Sequence, residues 1–260
     1  ITTAWSIQAL IFLWMSVRTK SNFIRLLSYL LYFLAFVHMA IFDMHKNFAP
    51  PVAGAYLEDM LTRLMTFGSL IVSMAMGYRL LRGEGDGTGI ISPENDTAEL
   101  IPSGKSSILL LVIGAVLMFV YLHFEFRDLS ASFYPPCKMP LISLIWTSAI
   151  LICAFAYAKS KSNAFITVSI LLCFGLLFKI LLFDFSFWRI SFDGPRFFVE
   201  SLAVETSMRA INFLMIAGAF AGAFALFAGK SKNVAGFFAV LCLSILFGYS
   251  RSEEHTSELQ

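Results

Sequence analysis

Residues 146–184 read WTSAILICAFAYAKSKSNAFITVSILLCFGLLFKILLFD, and a gapless counterpart stands at residues 5–43, WSIQALIFLWMSVRTKSNFIRLLSYLLYFLAFVHMAIFD. Trp5, Leu10, Ile11, Lys20, Ser21, Asn22, Ser28, Leu30, Leu31, Phe33, Phe42 and Asp43 all recur unchanged at an offset of 141. Each copy is an apolar helix, a basic Lys-Ser-Asn turn, a second apolar helix and a closing aspartate. The repeated object is a membrane hairpin.

Composition excludes an ordinary soluble domain. The 260 residues are 58% hydrophobic and 15% aromatic, with a formal net charge of +2 and a mean hydropathy of +0.77, where soluble chains are nearer half apolar. Cys153, Cys173 and Cys242 lie inside apolar runs and Cys137 stands in a loop, so no disulfide framework is implied. His38, His45 and His123 are too scattered for a zinc site, and no metal or other cofactor is expected.

Eight apolar segments of helical span length follow one another, at residues 1–17, 24–42, 64–81, 107–124, 141–158, 164–183, 210–228 and 234–249. The runs are continuous rather than alternating, which selects helices over barrel strands. The expected fold is all-α, a polytopic transmembrane helix bundle of eight spans in two parallel four-helix repeats. The first occupies residues 1–124 with a cytoplasmic linker at 83–105, and the second residues 139–250. Short basic turns around Arg18, Lys20, Lys159 and Lys161 place the Lys-Ser-Asn side in the cytoplasm.

The chain opens on Ile1 within an apolar pattern and without a charged leader, so it is expected to be a fragment. Residues 251–260, RSEEHTSELQ, resemble the in-frame translation of a common sequencing-library adapter. They are expected to be non-native read-through that packs against nothing.

The repeat extends into a third helix, where Arg63 and Phe67 match Arg209 and Phe213 after an external loop five residues longer. Ser73 and Gly77 then fall on Ala219 and Ala223, a small-residue stripe suited to close helix approach. With Gly218 and Gly222 added, the seventh helix is expected to be buried.

Two phosphate-loop lookalikes fail. The glycine run at 83–89 follows a membrane helix rather than a strand, and the Ser103-Gly104-Lys105-Ser106 stretch carries Glu99 where that motif needs glycine. The sequon at Asn95 to Thr97 lies on the predicted inner side. No nucleic-acid partner is indicated.

The external helix ends carry the candidate chemistry. Asp43 and Asp184 close the second and sixth helices, Arg63 and Arg209 open the third and seventh, and His38 and Lys179 lie five residues before each aspartate. The plain reading is interfacial anchors and a snorkelling lysine. The functional reading starts from the default significance of ionisable groups inside a membrane. Lys179 would sit about 7.5 Å beneath Asp184 along an α-helix. It gives a ligand site of Lys179, Asp184 and Arg209 open to the outer leaflet, mirrored by His38, Asp43 and Arg63, with Asp184 paired to Arg209 and Asp43 to Arg63. His123, Glu125, Arg127 and Asp128 end the fourth helix on the same side.

Trp146, the basic turn, the Phe178-Lys179-Ile180-Leu181-Leu182-Phe183-Asp184 run and Arg209 together resemble the bacterial domain of unknown function 2339 family of large polytopic membrane proteins, over residues 1–250. The first copy departs in carrying His38 in place of the lysine. The resemblance implies a multi-pass protein of the bacterial inner membrane, with further membrane repeats in the full-length chain, no established activity and no catalytic residue. Two function classes follow. One is binding or transport of a small molecule or lipid at the outer leaflet. The other is an integral membrane enzyme, such as a transferase acting on a lipid-linked substrate, which would need a larger external loop than residues 184–209 provide.

Overall fold

The computed structural model describes residues 1–44, 56–86, 103–184, 202–229 and 231–258. His45, most of the expected linker, Asn95 to Thr97, and the side chains of the tail at 251–260 lie outside this description. Among the described residues the chain is helical, with eight α-helices and no strand. Two compact units divide it, Ile1–Asp128 and Leu129–Gln260.

The first unit holds α1 (Thr2–Thr19), α2 (Asn22–His38) continued by a π turn (Met39–Asp43), α3 (Tyr56–Asp86) and most of α4 (Ser103–Phe133). In the second, a 3₁₀ turn (Pro135–Cys137) leads into α5 (Lys138–Ser160), α6 (Asn163–Lys179) with its own π turn (Ile180–Asp184), α7 (Leu202–Phe227) and α8 (Lys232–Glu258). Helix α3 runs on to Asp86 and so takes up the first residues expected in the linker.

Seven of these helices are long and apolar enough to cross a membrane. The exception is α1, expected to be a span. Thr2, Thr3, Ser6, Gln8, Ser16 and Arg18 lower its hydropathy, and its buried face is Thr2, Ser6, Ala9, Leu13 and Ser16. That face packs on α2 and α3. Its hydroxyls are satisfied: Ser6 donates to the Thr3 carbonyl at 2.9 Å and Ser16 to the Leu13 carbonyl at 2.7 Å.

The Lys-Ser-Asn turns have a backbone explanation. Lys20 (φ 53°) and Lys161 (φ 55°) adopt the left-handed conformation that terminates a helix, and their N–H groups bond back to the carbonyls of Ser16 and Tyr157. Serine then takes the N-cap of the next helix, with Ser21 Oγ accepting from the Ile24 N–H. Nineteen residues apart in both hairpins, Ser28 Oγ donates to the Ala9 carbonyl (2.7 Å) and Ser169 Oγ to the Ile150 carbonyl (3.5 Å).

Packing differs between the units in detail. Helix α4 is held to α3 by side chains, including the stacked rings of Phe67 and Tyr121 at 5.6 Å. In the second unit α7 packs on both α5 and α8, and Phe227 stacks on Phe238 at 5.8 Å. The buried stripe of α7 is Asn212, Phe213, Ile216, Ala219, Phe220 and Ala223; Gly218 faces outward instead. Large apolar side chains such as Phe33, Phe174 and Phe247 cover the outside of their units, as lipid-facing helices require.

The closest helix approach in the second hairpin is at Gly175, where an added Cβ would lie 2.4 Å from the Trp146 ring, whereas Gly218 has open space. Gly175→Ala should therefore destabilise by about 1–3 kcal/mol through overpacking, and Gly218→Ala should be neutral or slightly stabilising. Thermal unfolding of the purified protein in detergent checks the pair, and equal melting temperatures would contradict this packing.

Candidate functional site

Lys179 and Asp184 are five residues apart, which on an α-helix sets them roughly 140° apart around the axis. The π turn over Ile180–Asp184 changes that geometry. Its wider winding closes bonds between residues five apart, so the two side chains come onto one face. Lys179 Nζ lies 2.7 Å from Asp184 Oδ1 and 2.9 Å from Oδ2. Two neighbouring helices complete the cluster. From α5, Ser143 Oγ accepts from Nζ at 2.5 Å and the Met139 carbonyl at 3.4 Å. From α7, Asn212 Nδ2 donates to Asp184 Oδ2 at 3.0 Å.

This cluster is closed. Ser143, Asp184 and Asn212 have no exposed surface and Lys179 only 6%. Asn212 Oδ1 has no hydrogen-bond partner.

The first unit has the corresponding arrangement, again around a π turn, over Met39–Asp43. Thr2 Oγ1 donates to Asp43 Oδ2 and lies 2.9 Å from His38 Nδ1, which is 3.4 Å from the same carboxylate. With the single hydroxyl proton given to Asp43, the Thr2 contact requires His38 to carry a proton on Nδ1. Trp5 meets the imidazole edge-on at 5.5 Å. These side chains are about a fifth exposed, so this cluster is the more open one.

The arginines do not join the aspartates as expected. Arg63 is engaged by α4: its Nε and Nη2 bond the two Glu125 oxygens at 2.9 and 3.0 Å, and Nη1 approaches Asp128 at 3.5 Å. Tyr56 donates to Glu125 at 2.8 Å and Arg127 pairs with Asp128 at 2.8 Å. A planar guanidinium fork fits a carboxylate held flat against it, and Glu125 offers that geometry. Arg209 Nη2 pairs with Glu205, one turn away on its own helix, at 3.2 Å. Asp184 meanwhile has its oxygens on Lys179 and Asn212.

Sequence reasoning thus found Lys179, Asp184, His38 and Asp43 but missed Thr2, Ser143 and Asn212. The offset of 141 carries Thr2 onto Ser143, three residues outside the compared window, and would have found both. A cavity of about 330 Å³ in the first unit, lined by Tyr29, Tyr32, Phe33, Met74 and Leu110 with Ser106, is apolar and holds none of the expected site residues.

No known protein family matches the chain, and neither a curated protein nor a solved structure shows detectable similarity to it. The geometry alone therefore carries the functional argument.

Removing one partner of a buried pair leaves an uncompensated charge, at a cost of about 3–5 kcal/mol, whereas replacing both by apolar groups is often neutral. Lys179→Met and Asp184→Leu should each destabilise strongly, and the double variant should recover most of the loss. Denaturation in detergent measures the cycle; losses that simply add would show that the two groups do not act as a pair.

Proposed function

We propose that this protein is a bacterial inner-membrane protein of the domain of unknown function 2339 kind, built from repeated four-helix units, that binds or moves a small polar solute at the outer-leaflet end of its bundle. The binding residues on this reading are Ser143, Lys179, Asp184 and Asn212 in one unit, with Arg209 a turn away, and Thr2, His38 and Asp43 in the other. Arg63 serves instead to hold α3 to α4.

The observation that carries the reading is the fully buried Lys179–Asp184 pair in an apolar segment. Each such charge costs roughly 2.5–3.5 kcal/mol at mid-membrane on insertion scales, and hydrophobic residues could pack the same space. A chain that keeps them uses them. Repetition of the device supports the reading: both π turns end in aspartate, and both aspartates meet a hydroxyl-bearing cluster. The fourth helices share a further element, since Phe67 packs on Tyr121 and Phe213 on Tyr249, at 5.6 and 5.5 Å.

A solute site must open to solution. With the four native cysteines replaced, Ser143→Cys should react with a membrane-impermeant maleimide applied from the outer face and not from the cytoplasmic face. Phe183→Cys, on an exposed position in the same π turn, is the control for accessibility. Labelling of the control without any labelling at 143 would contradict a solute site reached from outside.

A further inference from the structure

The cluster in the second unit has more oxygen than its lysine can use. An ammonium has three donors and no more. Here the three are taken up by Asp184, Ser143 and the Met139 carbonyl. Asn212 is tied to Asp184 through Nδ2, which leaves Oδ1 as a surplus acceptor in a fully buried position. A carboxylate, a hydroxyl, a backbone carbonyl and an amide oxygen gathered around one positive charge form the donor set that hard metal cations prefer, and such cations take more oxygen ligands than an ammonium does.

From this we propose that the oxygen cage around Lys179 Nζ is a monovalent-cation site, in which a sodium-type ion and the proton of Lys179 compete for the same single positive charge. The proposal deepens the solute-site reading and rests on it. The exchange balances: Lys179 releases one proton to the outer solution as neutral amine, and one cation enters to sit on Asp184, Ser143, Met139 and Asn212. Charge neutrality enforces the coupling. Asp184 has no exposed surface, so an ionised carboxylate left there without a counter-charge would cost several kcal/mol. The amine can lose its proton only when another cation replaces it.

Few other charges face the cage. From α5 they are Lys138, half-buried at the helix start, and Cys137, whose thiol meets the Met208 sulfur at 3.8 Å. From α7 they are Glu205 and Arg209, which pair with each other. On α6 the only such groups are Lys179 and Asp184 themselves. Lys179 is therefore the group whose proton is expected to govern occupancy.

The test is equilibrium binding of radioactive sodium to the purified full chain in detergent, across a pH series from mildly acidic to alkaline. Saturable binding is expected, weakening by about tenfold per pH unit toward acid, as one-for-one exchange with a proton requires. Lys179→Gln should keep the site and lose that pH dependence over the range where the carboxylate stays ionised. Asp184→Asn should abolish binding, and Asn212→Ala should weaken it several-fold. Size-exclusion chromatography of each variant establishes folding. If neither the wild type nor Lys179→Gln binds sodium at any pH, or if Asp184→Asn binds normally, or if the pH slope survives in Lys179→Gln, the proposal is overturned. Outer-face labelling of Ser143→Cys with no sodium binding would leave the solute-site reading standing and remove only the cation.

Discussion

A charge buried in an apolar helix bundle must find its counter-charge within the protein, and Lys179 finds it five residues along its own helix. Only a local change of winding allows this, because a regular α-helix would turn Asp184 away. The π turn supplies the change. It also leaves the carboxylate facing two neighbouring helices at once, so that α5 contributes Ser143 and α7 contributes Asn212. Three elements of the second unit are thereby tied through one aspartate, and the helix order around it follows from that requirement.

The first unit meets the same constraint with weaker groups. Histidine replaces lysine and threonine replaces serine, while the π turn and the aspartate stay. Histidine can be neutral, so this cluster does not need the complete enclosure seen around Lys179, and its side chains are correspondingly more exposed. The heaviest electrostatic load in this unit is instead between α3 and α4, where Arg63 is only 2% exposed and is matched by Glu125 and Asp128. That joint links two helices whose backbones otherwise stay well apart.

Much of the helical architecture was legible because continuous apolar runs and a gapless offset need only composition and spacing. The Lys-Ser-Asn turns were legible for the same reason, although their cause, a left-handed lysine followed by a serine cap, is a backbone fact. Helix α1 was misjudged as a span because its many hydroxyls lower its hydropathy while bonding back to their own helix. The aspartate–arginine pairs were misjudged because an α-helical pitch was assumed up to Asp43 and Asp184. No local sequence signal marks a π turn, and without it Lys179 and His38 seem to face away from the aspartates. Asn212 was invisible for a different reason: an uncharged amide on a long apolar helix looks like an incidental polar residue until three helices are assembled around it.

The account stands on direct contact between Lys179 and Asp184 within the membrane. Solid-state NMR on the protein in lipid bilayers, with ¹⁵Nζ-labelled lysine and ¹³Cγ-labelled aspartate, measures it through the dipolar coupling between the two sites. A coupling consistent with nitrogen–oxygen separations of 2.7 and 2.9 Å, lost in Asp184→Asn and retained in Asp43→Asn, is the predicted result. A lysine signal at Lys179 that shows no carboxylate coupling and exchanges freely with water would contradict it.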